Sequence, residues 1–179
     1  MVIILNESQQ SMNLLIMGAI SGAITNPWSE EAQIHAEKYY EFIRHCSSDV
    51  DKISKNTSFT QEQILLIKNY LFINQHNLDG EIKLFDPCFE IAQSWQRLAF
   101  EPDLIQKHDL TLLHHEITEM KLISEGYSQQ EAHNITEKKY NYNKESAEFY
   151  KDLSVHGNSL KALKIAHDKI SGGITFKNY

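Results

Sequence analysis

Two stretches of helical period meet at one glycine, and that junction constrains this chain more than any other feature. Leu112, Leu113, Ile117, Met120 and Ile123 recur along one face of a helix expected over residues 110–124, with Asp109 placed to cap it. Gly126 ends that helix. Ser128 and Glu131 then form a capping box, which starts a second helix reaching about Tyr142. So short a connection folds the two helices back on each other, so the sequence predicts a central antiparallel helical hairpin.

The same period recurs elsewhere. Ser29 caps a helix to about Cys46, a short amphipathic segment surrounds Val50 and Ile53, and Thr60 with Gln63 boxes the start of the apolar run 64–73. Residues 74–87 read as a loop with a short strand at 82–85, and a helix runs from Pro87 to about Phe100. Further helices are expected over 145–153 and 159–170. No apolar/polar alternation is long enough for a sheet core. The expectation is one compact, mostly α-helical domain over residues 26–171, with an apolar segment 1–25 before it and a flexible tail 172–179 after it. At 179 residues and 41% hydrophobic composition, it can bury a core without disulfides.

The apolar stretch 14–24 is too short to span a bilayer as a helix, and residues 1–13 hold no Lys or Arg to lead a signal peptide. It reads as a packed N-terminal element or a segment that docks on a partner. Cys46 and Cys88 show no CxxC spacing and fit two reduced thiols, consistent with a cytoplasmic protein. A net charge of −7 argues against a broad nucleic-acid clamp and leaves room for a local basic stripe.

Four of the nine histidines, His108, His114, His115 and His133, fall within residues 108–133 beside Glu116 and Glu119. On a helical wheel Glu116 lies inside the apolar arc, between Ile123 and Met120, with Glu119 and His115 at its edge. His114 points with Thr118 and Lys121 toward the opposite face. A buried carboxylate costs several kcal/mol unless it is protonated, paired or bound to a metal. The hairpin strengthens the pattern, because Glu119 lies seven residues before Gly126 and His133 seven after it, which brings them level. His115 comes level with Glu137, and Glu116 with Thr136. Glu116, Glu119, His115, His133 and Tyr140 are therefore expected to share one polar pocket with apolar walls.

Three roles suit that pocket. In the first, His115, Glu119 and His133 hold a divalent metal such as zinc, and Glu116 is the general base; His115-Glu116-x-x-Glu119 is a variant of the zinc-peptidase HExxH helix. In the second, which the sequence favours over the other two as a function, no metal or other cofactor takes part, and Glu116 or His115 as base and His133 as acid cleave a phosphodiester, RNA being the leading substrate. Lys138, Lys139 and Lys144 alternate with Tyr140 and Tyr142, a pattern able to hold phosphates and stack bases. In the third, the cluster only fixes the register of the hairpin, and the chain is a non-enzymatic helical interaction module.

Other features read as structural. Residues 53–71 have a helix–turn–helix cadence, but Ile64, Leu65, Leu66 and Ile67 are too apolar to lie in a DNA groove. His35 shares a helical face with Ala32, Tyr39 and Phe42 and reads as an interior histidine, Trp95 as a core anchor, and Arg97 as a helix-surface ion-pair partner before a clamp for a phosphate or carboxylate. His45, His76, His156 and His167 look solvated. His108, beside Lys107, is a candidate substrate contact at the mouth of the pocket.

The series NPWSEEAQIHAEKYYEFIR, ISKNTSFTQEQI, SWQRL, HDLTLLHHEITE, GYSQQEAH and KKYNY resembles a helical module found at the C-terminal ends of bacterial polymorphic toxins and in some phage head-associated proteins. The likeness covers about residues 26–153. Its most distinctive motifs fall on His108, Asp109, His115, Glu116, Glu119, Glu131, His133, Tyr140, Asn141 and Tyr142. The resemblance implies a bacterial or phage setting, a toxin-like hydrolase of nuclease type, an immunity or carrier protein as partner, and action in the cytoplasm or in that of a target cell. The expectation is of a free-standing domain with no delivery region, a departure from the secreted-toxin pattern.

Overall fold

The computed structural model describes residues 24–154 apart from residue 79, and within them the chain is mostly helical. Ser29 accepts the Ala32 amide and starts α1 (Glu30–His45). Next come α2 (Asp49–Asn56) and α3 (Gln61–Lys68), the latter opened by the expected Thr60/Gln63 capping box. Here the apolar run departs from expectation. Its α-helix stops at Lys68 and loosens into a π-helical turn over Asn69–Ile73, closed by the Asn74 amide on the Asn69 carbonyl at 2.7 Å. The Phe72 carbonyl in that turn accepts Arg44 Nε at 2.8 Å.

A small antiparallel ribbon follows, β1 (His76–Leu78) against β2 (Glu81–Lys83), with His76 opposite Lys83. The strand expected over 82–85 is thus shifted toward the turn. Helix α4 (Phe89–Phe100) buries nine of its twelve residues, four of them polar or charged, so it is the central helix of the bundle. A short 3₁₀ turn (Pro102–Leu104) leads to α5 (Lys107–Ser124), then α6 (Gln129–Glu137), then α7, described over residues 142–154. The main core gathers Tyr39, Ile43, Ile64, Phe72, Trp95 and Leu113, and a second cluster joins Ala32, Ala36, Phe89, Tyr150 and Leu153.

Helices α5 and α6 form the expected antiparallel hairpin. Gly126, at φ +102°, ends α5 in a Schellman turn: its amide reaches the Ile123 carbonyl at 3.0 Å and the Tyr127 amide the Leu122 carbonyl at 3.2 Å. Ser128 and Glu131 form the expected capping box.

In the hairpin, the two helix ends away from the turn differ from the sequence reading. Helix α5 begins at Lys107, because Asp109 acts from inside the first turn and accepts the Gln106 amide at 2.8 Å. Helix α6 stops at Glu137 instead of reaching Tyr142. The chain turns a corner there, and Asn141 caps α7 through Lys144 N–H at 2.8 Å.

Arg97 is the largest departure. It is fully buried, with Nε and Nη2 gripping both Asp109 oxygens at 2.8 and 2.6 Å. A second buried pair, Lys68 and Asp49 at 2.8 Å, is extended by the Trp95 indole donating to Asp49 at 3.0 Å. Ile64 and Ile67 face the core, while Leu65 and Leu66 are about half exposed, so α3 is a packed helix with an apolar outer edge. The two cysteines are free. No helix among the described residues is long and apolar enough to cross a membrane. The segment 1–23, the helix expected over 159–170 and the tail 172–179 lie outside the described residues.

Candidate functional site

The hairpin register places Glu119 against His133, as the spacing about Gly126 required. His133 Nδ1 lies 3.0 Å from Glu119 Oε2, and His115 Nε2 lies 3.2 Å from the same oxygen, one helical turn earlier on α5. The ligating atoms of His115, Glu119 and His133 all fall within 4.8 Å of one another. His115 Nδ1 donates to the Tyr140 carbonyl at 2.8 Å, which fixes the ring and turns Nε2 inward. Tyr70, on the π-helical turn, donates its hydroxyl to the other carboxylate oxygen, Glu119 Oε1, at 3.0 Å.

The electrostatics follow from these contacts. Burial alone would raise the Glu119 pKa, but hydrogen bonds from His115, His133 and Tyr70 outweigh it and hold the carboxyl below its usual range. Burial opposes a charge on His115. The Glu119 carboxylate and Tyr140 carbonyl overcome it and hold the imidazole above its usual value. Burial pushes the Glu116 carboxyl up to about 8, the nearby His115 charge opposing and Glu119 adding to the rise. Among the described residues no hydrogen bond or ion pair holds Glu116; its side chain borders an open space.

That space is a cavity of about 260 Å³, lined on one side by His115, Glu116, Glu119 and His133. Tyr40, Tyr70, Leu71, Phe85, Ile91 and Tyr142 supply aromatic and aliphatic walls, and Asp86, Gln129 and Asn143 the remaining polar groups. Neither lysine nor arginine lines it.

Several residues named from sequence lie elsewhere. His108 is buried beneath Arg97, whose Nη2 reaches His108 Nε2 at 2.9 Å, and its ring packs on Phe149; it does not line the cavity. Asp109 Oδ1 lies 3.2 Å from the same nitrogen, but the permanently charged guanidinium beside it makes Nε2 an acceptor and keeps the ring neutral. Burial, with Arg97 opposing and Asp109 favouring the charge, brings the His108 pKa down to about 4. Lys138 and Lys139 are exposed on the corner after α6 and do not line the cavity. Tyr140 contributes its carbonyl only; its ring stacks on His114 at 5.1 Å and lies under the Lys139 ammonium. Tyr142 does line the cavity, but it is buried, with its hydroxyl 3.1 Å from Ser94 Oγ, so it is a wall and not an open stacking platform. The corner at residues 138–141 breaks the helical alternation on which the lysine–tyrosine stripe depended.

His35 is interior as expected, accepting from Gln93 at 2.8 Å, and burial lowers its pKa to about 4. His45 is exposed, whereas His76 is half-buried, stacked on Phe85 with Nε2 donating to the Tyr70 carbonyl at 2.8 Å. His156 and His167 lie outside the described residues. Sequence reasoning did not find Tyr70, Asp86, Gln129 or Asn143. Tyr70 carried one usable signal, a polar-tipped residue inside an otherwise apolar run.

Comparison with family models, with curated proteins and with solved structures gives no match to this chain.

Proposed function

We propose that the protein is a metal-dependent hydrolase, with His115, Glu119 and His133 holding one divalent ion of the zinc class and Glu116 serving as general base. What carries this reading is the convergence of two imidazoles on one carboxylate, with the outer nitrogen of His115 already occupied by the Tyr140 carbonyl. A tetrahedral ion with bonds of about 2.0–2.1 Å separates its ligand atoms by roughly 3.3 Å. The two nitrogen–oxygen separations, 3.0 and 3.2 Å, are within a few tenths of that, and the three atoms as a set lie within 4.8 Å, so holding an ion draws the two imidazoles closer together. Tyr70 on the free oxygen of Glu119 completes the outer support such ligands require.

An ion held by His115, Glu119 and His133 would acidify water and polarise a substrate oxygen at the cavity. Glu116, beside His115 and facing the same cavity, would take a proton from the attacking water as a carboxylate, the form that a neighbouring cation favours. The water oxygen bonds to the electrophilic centre, the leaving group departs with the electron pair of the broken bond, and Glu116 returns the proton to it.

Titrating the chelator-treated full chain with Zn²⁺ or Co²⁺ tests the site. One equivalent should bind in the wild type and none in His115→Ala/Glu119→Ala. Free ion at about 100 times Kd should stabilise the fold by about 2.7 kcal/mol. Glu116→Gln should keep the ion and lose hydrolysis. A wild type that takes up no ion refutes the assignment.

A second reading, a metal-free RNA nuclease of toxin type, draws support from the direct His–Glu contacts, whose shifts run in opposite directions. It ranks second because the lysines expected to hold phosphate do not line the cavity. RNA cleavage in EDTA that His133→Ala abolishes would reverse the order.

A further inference from the structure

The composition of the cavity wall narrows what the site can accept. We infer that the substrate is a neutral or cationic acyl compound, an amide or peptide bond flanked by an aromatic or branched apolar group, and not a nucleic acid. The inference rests on the metal-hydrolase reading and concerns the part of the cavity beyond the ligands.

Three observations carry it. The first is charge. A divalent ion with two neutral imidazoles and Glu119 leaves one net positive charge, and Asp86 in the same lining offsets it. With neither lysine nor arginine there, nothing compensates a run of phosphates, and the chain as a whole is at −7. The second is the apolar part of the lining, where Leu71, Phe85 and Ile91 join Tyr40, Tyr70 and Tyr142. Removing that surface from water favours an apolar group, whereas a phosphate brought against it loses hydration without a partner. The third is size. An apolar cavity of about 150 Å³ admits a benzene ring, so about 260 Å³ holds one aromatic side chain together with the bond to be cut. Gln129 and Asn143 add neutral amides, each able both to donate to and to accept from a peptide group.

Hydroxamates, which bind the ion as acyl-group mimics, test this on the Zn²⁺-loaded full chain by calorimetry. 3-Phenylpropanohydroxamate should bind about tenfold or more tighter than acetohydroxamate, the advantage that burying an aromatic side chain implies. That ratio should collapse in Ile91→Ala and in Phe85→Ala; either variant that folds and takes up zinc suffices. A trinucleotide should bind no tighter than inorganic phosphate. Equal affinity for the two hydroxamates overturns the inference. A trinucleotide that outcompetes the aromatic hydroxamate also overturns it, in favour of a nucleic-acid substrate on an intact metal site. Failure to take up zinc, seen before any hydroxamate is added, refutes the metal reading and this inference with it.

Discussion

The Asp109→Asn substitution changes one atom type in a place where the structure leaves no slack. Arg97 is 1% exposed and its guanidinium is committed to Asp109 Oδ1 and Oδ2 at 2.6 and 2.8 Å, to Ser94 Oγ at 3.3 Å and to His108 Nε2 at 2.9 Å. Burial works against its charge, and the Asp109 carboxylate more than restores it. Asparagine keeps the shape but removes the countercharge, so a guanidinium is left buried among neutral acceptors. Breaking one side of such a pair costs about 3–5 kcal/mol. A domain of this size has about 5–15 kcal/mol in total, so the loss is a large part of its stability. At about 2–4 °C per kcal/mol, Tm should fall by about 6–20 °C. Urea and thermal unfolding of the full chain at pH 7.5 read this directly. The double variant Arg97→Met/Asp109→Leu should recover most of the loss, because it removes both desolvated charges together. A loss below about 1 kcal/mol in Asp109→Asn would refute the reasoning, since it would mean water reaches the guanidinium in the folded protein.

The remaining predictions use the same contacts. His35 and His108, with pKa values lowered to about 4, favour the folded state only while neutral; their contribution is intact above pH 6.5 and is lost as pH falls through about 4, on the order of 3 kcal/mol each. Imidazole NMR should show both rings still neutral at pH 5, and half-titration of either above pH 6 contradicts the burial argument. Trp95→Phe leaves Asp49 Oδ2 without its indole donor and should cost about 1–3 kcal/mol in urea unfolding; a change under about 0.5 kcal/mol would count against that bond. Tyr70→Phe should fold normally and weaken Zn²⁺ binding by about 10- to 100-fold, whereas an unchanged Kd would show that Glu119 does not depend on its phenol.

The hairpin was readable because its determinants are local. Gly126 supplies the positive φ, Ser128 and Glu131 the cap, and the equal spacing of Glu119 and His133 about the turn sets which residues meet. The 3.6-residue period placed a carboxylate, Glu116, on the buried face, and the structure keeps it there at 7% exposure. The rule failed where the helix stopped. Extending α6 to Tyr142 put Tyr140 in the pocket as a side chain, whereas the corner at residues 138–141 delivers its carbonyl instead. Asn141, with a side-chain oxygen able to cap the following helix, was the sequence signal for that corner.

What the sequence by itself determined is the helical class, the hairpin and the three-residue cluster of His115, Glu119 and His133, all products of periodicity and capping over short stretches. Tertiary structure alone decided the surroundings of that cluster. Tyr70 reaches Glu119 across 49 residues of chain, through a π-helical turn that no 3.6-residue period predicts. Arg97 reads as a surface residue until α5 brings Asp109 against it and the two are buried together. A buried charge is tolerated only beside its partner, and that partner comes from a different helix, so its identity is set by packing and not by the local pattern of residues.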